Sequence, residues 1–205
     1  MTLSAFDAHR ATRSGKLARS LQTANERLQN VALYDGLTGL PNRMLLEDRL
    51  LQAMNHADRS GHGFAVMFVD LDKFKPVNDT YGHQCGDDLL RAVAQALTAC
   101  IRREDTVARI GGDEFVAVLN GIKTRADAEL VGQKMLAELA RPFQIGSNTI
   151  NISCCIGISI YPEDGADLNE LVVNADAAMY QAKREGRNGY RFFGVGGEVA
   201  SSGVF

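Results

Sequence analysis

The chain has 205 residues, room for one globular domain with a short extra segment at either end. Hydrophobic residues at 45% and charged residues at 23% suit a packed core, and no apolar run approaches the roughly 18 residues of a membrane-crossing helix, so no membrane span is expected. A net charge of −3 argues against general nucleic-acid binding, although a small polyanion held through a metal remains compatible with it.

Residues 1–33 read as a separate N-terminal helical segment. Leu17, Leu21, Ala24, Leu28 and Val31 recur in steps of four and three. That is an a/d seam of about two heptads, suited to pairing with a second copy of itself or to lying on its own domain as an amphipathic helix. A turn-rich stretch, Tyr34 to Arg43, opens the main domain, residues 34–194. The apolar spacing of Leu45, Leu46, Leu50, Leu51 and Met54 predicts a helix from Met44 to Arg59. The continuous apolar run Phe64 to Val69 predicts a central strand buried on both faces. A helix is expected from Asp88 to Ile101. Strands at Thr106–Ile110 and Glu114–Leu119 follow, joined at the double glycine Gly111-Gly112, a hairpin signal. Arg125–Ala140 reads as helix, Asn148–Ile160 as strand-rich, Asp167–Glu185 as helix and Tyr190–Phe193 as a short closing strand. Residues 195–205 read as a flexible, glycine-rich tail. This order mixes antiparallel and crossover connections, which predicts an α/β fold with a mostly antiparallel central sheet flanked by helices. Cys85, Cys100, Cys154 and Cys155 lack zinc-finger spacing and read as buried free thiols of a reducing compartment. The N-terminus lacks the pattern of a signal peptide. A cytoplasmic protein, or the cytoplasmic part of a membrane-anchored one, is therefore expected.

Three clusters carry chemistry. In Phe68-Val69-Asp70-Leu71-Asp72-Lys73-Phe74-Lys75, two carboxylates sit where a buried strand ends. A buried strand has no use for a charge, so Asp70 is expected at the rim of the sheet. Gly111-Gly112-Asp113-Glu114-Phe115 occupies the hairpin turn, where glycine lets a ligand approach the backbone. If the two strands are neighbours, Asp70 and Asp113 meet and repel unless a cation sits between them. Oxygen-only ligands without histidine suggest magnesium, the metal of phosphoryl and nucleotidyl transfer. Either cluster alone also fits a solvated acidic turn. On the last helix, Lys183 and Arg187 are four apart and are expected to share a face able to hold a triphosphate, above the apolar stripe Ala175, Ala178, Met179 and Ala182. A solvated basic helix end, favoured by the helix dipole, is the alternative.

Together these residues resemble the diguanylate cyclase (GGDEF) family across nearly the whole stretch from Asp35 to Phe193. Asp35-Gly36-Leu37-Thr38-Gly39-Leu40 with Asn42-Arg43 is similar to the family's opening signature. Asp70 to Lys75 with Asn78-Asp79, Tyr81-Gly82-His83 and Gly86-Asp87 is similar to its nucleotide-binding stretch. Gly111 to Phe115 matches the name-giving motif intact, and Ala178-Met179-Tyr180, Ala182-Lys183 and Gly186-Arg187-Asn188 match the closing signature. The resemblance implies a palm-like nucleotidyl cyclase sheet and the condensation of two GTP molecules into cyclic di-GMP, with loss of pyrophosphate, between two facing domains. It implies that Asp70, the Leu71 carbonyl and Asp113 bind magnesium, for which manganese can substitute. It also implies that Asp113, with Glu114 beside it, helps deprotonate the ribose 3′-hydroxyl. Asn78 and Asp87 are implied to read guanine, a choice that suits an amide offering donor and acceptor and a carboxylate accepting from N1 and N2 hydrogens. The amides near Phe74 and Lys75, with the side chains of Lys75, Lys183 and Arg187, are implied to hold phosphates.

The family places an inhibitory product site at an RxxD five residues before its motif, and Arg102-Arg103-Glu104-Asp105 stands there. Arg102 would meet a phosphate or a guanine Hoogsteen edge of cyclic di-GMP, and Asp105 guanine's N1 and N2 hydrogens; the plain alternative is a surface salt bridge between the two. Other functional readings are a non-catalytic GTP-binding regulatory module and a dimerising signal relay. The chain is expected to be a fragment of a larger signalling protein, with a sensor domain upstream and a phosphodiesterase domain downstream as candidate neighbours.

Overall fold

The computed structural model describes residues 32–194; the seam from Leu17 to Val31 and the tail at residues 195–205 lie outside the described residues. Five strands form the central sheet in the order β2-β3-β1-β6-β7. Its middle strand, β1 (Gly63–Asp72), pairs antiparallel with β3 (Glu114–Ile122) on one side and β6 (Ser153–Tyr161) on the other. Strand β2 (Thr106–Gly111) is antiparallel to β3, and β7 (Gly189–Phe192) alone runs parallel to its neighbour, β6. The mostly antiparallel sheet expected from the sequence is the one observed.

The two-residue period of β1 sends its side chains into two separate cores. Ala65, Met67, Val69 and Leu71 face α3 (His83–Cys100) and α4 (Arg125–Leu139), packing with Leu89, Val93, Leu97, Met135 and Leu139. Phe64, Val66 and Phe68 face α1 (Arg43–Ser60) and α5 (Leu168–Arg184), packing with Leu46, Leu50, Leu171, Ala175 and Met179. Each such side chain taken from water contributes about 1.5–3 kcal/mol, which holds the three layers together. A side chain at Gly157 of β6 would stand 1.8 Å from the Ala175 carbonyl oxygen, so glycine lets the backbone of α5 touch the sheet. That contact sets the height at which the end of α5 overhangs the end of β1.

Several boundaries differ from the sequence reading. Helix α1 starts at Arg43 because Asn42 caps it, accepting the Leu45 N–H at 3.2 Å. A separate helix, α2 (Phe74–Tyr81), occupies a stretch in which no element was expected, and α3 begins at His83 rather than Asp88. Gly82, with φ 84, breaks the chain between them, and Gly86 is helical. The strand-rich region divides between two sheets: a hairpin of β4 (Phe143–Ile145) with β5 (Asn148–Ile150), and then β6. Helix α5 ends at Arg184, so Arg187 lies beyond it.

Candidate functional site

The even-numbered residues of β1 continue past the apolar Phe68 to Asp70 and Asp72, which therefore point to the same side as α5. Asp70 lies near the end of β1, where the sequence had put it, but it is buried. It sits within the central strand, opposite Glu114 on β3 and Cys155 on β6, and is only 8% exposed. The charge is tolerated there because Lys183, arriving from the last turn of α5, places Nζ 2.8 Å from Asp70 Oδ2. The Leu71 N–H donates to the Asp113 carbonyl oxygen at 3.3 Å, which brings the hairpin turn against the end of β1. Asp70 and Asp113 are brought together as the sequence suggested. Burial pushes the Asp70 carboxyl up; Lys183 pulls it back, and the charges of Asp113 and Asp72 oppose that pull, leaving it above the ordinary range. Glu114 is raised by burial first and then by Asp70, Asp176 and Asp113. Asp176 on α5 is raised by its burial.

This is a carboxylate cluster with one resident cation. Among the described residues no three His, Cys, Asp or Glu side chains are arranged to hold a metal ion by themselves. The donor chemistry fits a divalent cation nonetheless: two carboxylates in mutual repulsion beside a backbone carbonyl, with the remaining positions left to water and ligand phosphate.

Arg187 does not share a helical face with Lys183, as their spacing of four had suggested. It adopts a left-handed backbone, φ 64, in the turn after α5, followed by Asn188 with φ 47. The turn nevertheless delivers its guanidinium to the same place, with Nε 3.6 Å from Asp72 Oδ1 and just over half of the side chain exposed. Asp72 also accepts from Ser153 Oγ at 2.7 Å, Cys155 Sγ at 3.3 Å and the Asn188 N–H at 3.2 Å. Burial, and the bond to Asp72, push the Cys155 thiol up to about 12, so it remains a donor.

The chain leaves β1 through Lys73, left-handed at φ 60, and enters α2 at Phe74. Lys73 makes no side-chain cap bond, so the first amides of α2, at Phe74 and Lys75, have no side-chain partner from the cap. The Lys75 side chain is exposed. Asn78 on α2 and Asp87 in the first turns of α3 are both half-buried. Asn78 lies directly on Gly86: an ideal Cβ there would be 1.9 Å from Asn78 Oδ1. The first amides of α2 thus follow directly on β1 and its carboxylates, with the α2–α3 corner one short helix further along the chain.

Arg109 ties the opening loop to this end. Its Nη1 meets both Asp35 oxygens at 3.0 Å, while Nε and Nη2 donate to the Gly112 carbonyl at 3.0 and 2.7 Å. The hairpin turn bearing Asp113 is fixed by the loop residue Asp35, a link across 74 residues that spacing in the sequence could not reveal.

Arg102 and Asp105 lie away from this cluster. They are not a salt bridge: Asp105 Oδ2 accepts the Arg102 backbone N–H at 3.0 Å and Oδ1 accepts the Asn120 N–H at 2.9 Å. The exposed Arg102 side chain lines a cleft of about 1200 Å³ with Arg49, His56, Arg59 and Arg103. The sequence reading missed Arg49 and Arg59, which α1 contributes from its polar face.

A family model described as "Diguanylate cyclase, GGDEF domain" matches residues 32–189. The chain is 50% identical over 193 residues to the bifunctional diguanylate cyclase/cyclic di-GMP phosphodiesterase MucR of Pseudomonas aeruginosa, covering 94% of this chain and 28% of that protein. It is 43% identical over 170 residues to the cyclic di-GMP phosphodiesterase PdeR of Escherichia coli, covering 83% of this chain and 25% of that protein. It therefore spans about a quarter of the length of these curated relatives. Among solved structures, the coiled coil and GGDEF domain of DgcB from Caulobacter crescentus, in complex with c-di-GMP, superposes with a TM-score of 0.80 at 29% identity, covering 91% of this chain and 98% of that one.

Proposed function

The chain belongs to the diguanylate cyclase GGDEF family, and from that premise we propose that it condenses two GTP molecules into cyclic di-GMP with release of two pyrophosphates. The observation that carries this reading is the intact Gly111–Phe115 turn held against β1, which sets Asp113 beside Asp70 within reach of Lys183. Family members named as phosphodiesterases are among the relatives, so the intact turn, rather than membership alone, favours chemistry.

In this reading Asn78 and Asp87 hold guanine at the α2–α3 corner, and the amides at Phe74 and Lys75 with Lys75, Lys183 and Arg187 hold the triphosphate. A divalent cation, magnesium or manganese, bound by Asp70, Asp113 and the Leu71 carbonyl would supply positive charge where negative charge develops on the phosphate. Asp113, with Glu114 beside it, is placed to accept the proton of the ribose 3′-hydroxyl. That oxygen attacks the α-phosphate of the GTP on a second domain, and the bond to the β-phosphate breaks. Repetition in the opposite sense closes the ring. No covalent enzyme intermediate is needed, because holding the reactants aligned contributes about 7–11 kcal/mol to such a step. One domain carries one substrate, so a homodimer is required, with the segment ending at residue 33 as its connector.

We place product inhibition at the Arg102 cleft, where a bis-phosphate would meet a basic wall and a guanine would reach Asp105. DgcB, whose structure holds c-di-GMP, supports a product-binding role for this kind of domain. The short span relative to MucR supports a larger signalling protein with input and phosphodiesterase domains elsewhere. No helix among the described residues is long and apolar enough to cross a membrane.

The test is incubation with GTP and magnesium at several protein concentrations, with chromatography of the products. Cyclic di-GMP formed with a specific activity that rises with concentration is the expected result. GTP binding without turnover would establish a regulatory module instead.

A further inference from the structure

Asp70 and Asp72 form an Asp-x-Asp pair at the end of a β-strand, an arrangement that invites reading both as metal ligands. Their surroundings differ. Asp72 is 5% exposed, and both of its oxygens are occupied by donors from two other segments. Ser153 Oγ and the Asn188 N–H reach Oδ2; Cys155 Sγ and Arg187 Nε reach Oδ1. One hydrogen bond and the ion pair come from the turn after α5, and two hydrogen bonds come from β6. Asp72 therefore staples that turn to the central sheet.

The turn needs a staple. Arg187 and Asn188 are consecutive non-glycine residues with positive φ, 64 and 47. Each such conformation is disfavoured and persists only where the surroundings hold it. Asp72 supplies that hold: its carboxylate accepts the Asn188 N–H and faces the near side of the Arg187 guanidinium. Arg187 Nε lies 3.6 Å from Asp72 Oδ1 while just over half of the side chain stays exposed, so the guanidinium remains accessible to phosphate oxygens.

We infer that Asp72 is a positioning residue of the phosphate clamp and not a metal ligand: it fixes the left-handed Arg187–Asn188 turn so that Arg187 presents its terminal nitrogens to the nucleotide's phosphates. The inference rests on the proposed phosphate role of Arg187. It assigns the two carboxylates of β1 different work, Asp70 facing the metal and Asp72 acting through Arg187.

The experiment is a double-mutant cycle on GTP binding, read by calorimetry with the full chain, in which GMP serves as the probe lacking the β- and γ-phosphates. Asp72→Asn keeps the shape and one acceptor but removes the charge. It should weaken GTP about tenfold, the loss expected for a charge-assisted bond, and leave GMP unchanged. In an Arg187→Ala background, Asp72→Asn should cause no further loss, because its effect travels through Arg187. The magnesium concentration giving half-maximal GTP binding should be unmoved by Asp72→Asn and raised by Asp70→Asn. A full further loss on top of Arg187→Ala, or a magnesium midpoint displaced as for Asp70→Asn, would overturn the inference. Should Asp72→Asn not fold, Ser153→Ala decides: it loosens Asp72 without touching the nucleotide, and unchanged GTP affinity in that variant overturns the inference equally. Failure of the cyclase reading shows separately, as absence of cyclic di-GMP from the wild-type chain, since every arm here reads binding.

Discussion

Gly86 lies in α3 with Asn78 of α2 resting on its Cα. Replacing it by alanine places a methyl group 1.9 Å from Asn78 Oδ1 and 3.3 Å from Phe74 Cζ. The first distance is about 1.5 Å inside ordinary contact, so the amide must move. It is the end of a side chain, and turning it costs about 0.5–1.5 kcal/mol. Alanine in a helix regains about 0.5–1 kcal/mol over glycine, so the fold should be nearly as stable as before, within a few degrees of melting temperature. Guanine recognition should not survive so well. If Asn78 holds the base through a buried hydrogen bond, its displacement forfeits about 1–3 kcal/mol, a GTP affinity roughly 5- to 150-fold weaker. Calorimetric titration of GTP into Gly86→Ala and Asn78→Ala, with thermal unfolding of each, gives both quantities. The two substitutions should not add, because the first acts by moving the residue that the second removes. Wild-type GTP affinity in a folded Gly86→Ala domain would refute the placement of guanine at this corner. A full additive loss in the double variant would refute the route through Asn78.

Asp113→Ala should abolish cyclic di-GMP synthesis while leaving the melting temperature equal or higher, because Asp113 is one of the charges that raise Asp70 and Glu114; retained synthesis would contradict the assignment. Glu114 binds its proton more tightly folded than unfolded, since burial and then Asp70, Asp176 and Asp113 raise its carboxyl. Metal-free stability should therefore fall as pH rises from the unfolded carboxylate value through the raised folded one; Glu114→Gln should flatten that part of a melting-temperature profile, and superimposable profiles would contradict the sign. Arg102→Ala should leave the initial rate unchanged and let progress curves continue where the wild type flattens before GTP is exhausted. Identical slowing in both would remove the cleft at Arg102 as an inhibitory site.

The fold was legible where one pattern dominated. Phe64 to Val69 read as a strand covered on both faces, and the double glycine before Asp113 marked the hairpin of β2 with β3, while the pairing of β3 with β1 was a condition that the structure meets. What stayed hidden depended on distant partners or on glycines with two meanings. Gly82 and Gly86 look alike in the sequence, yet one breaks the chain at φ 84 while the other is a helical position emptied for Asn78. The burial of Asp70 stayed hidden because it depends on Lys183, a partner 113 positions away. Arg187 was put on a helical face from its spacing, and the turn that carries it is held by Asp72, Ser153 and Cys155, none of them local to it. The Arg102–Asp105 pair matched the anticipated spacing, but the backbone amides of Arg102 and Asn120 claim the Asp105 carboxylate, so the arginine is left to the cleft.

The two ion pairs at the end of β1 are not equivalent, and their difference bears on how the site takes up its substrate. Lys183 is the only cation within hydrogen-bond distance of Asp70 among the described residues, and burial still leaves the Asp70 carboxyl raised. In the proposed function, a divalent ion held at Asp70 would take the place of the ammonium, and Lys183 would then be available to the phosphates. Asp72 has no such incentive. Three hydrogen bonds and the Arg187 ion pair already surround it, and the Asn188 bond and Arg187 contact hold a strained turn. On the proposed roles, Arg187 would be in place before the nucleotide binds, while Lys183 would change partners on binding. The Lys183–Asp70 pair offsets charge in the acidic cluster, and on the proposed function it is the bond that would be exchanged when the substrate enters.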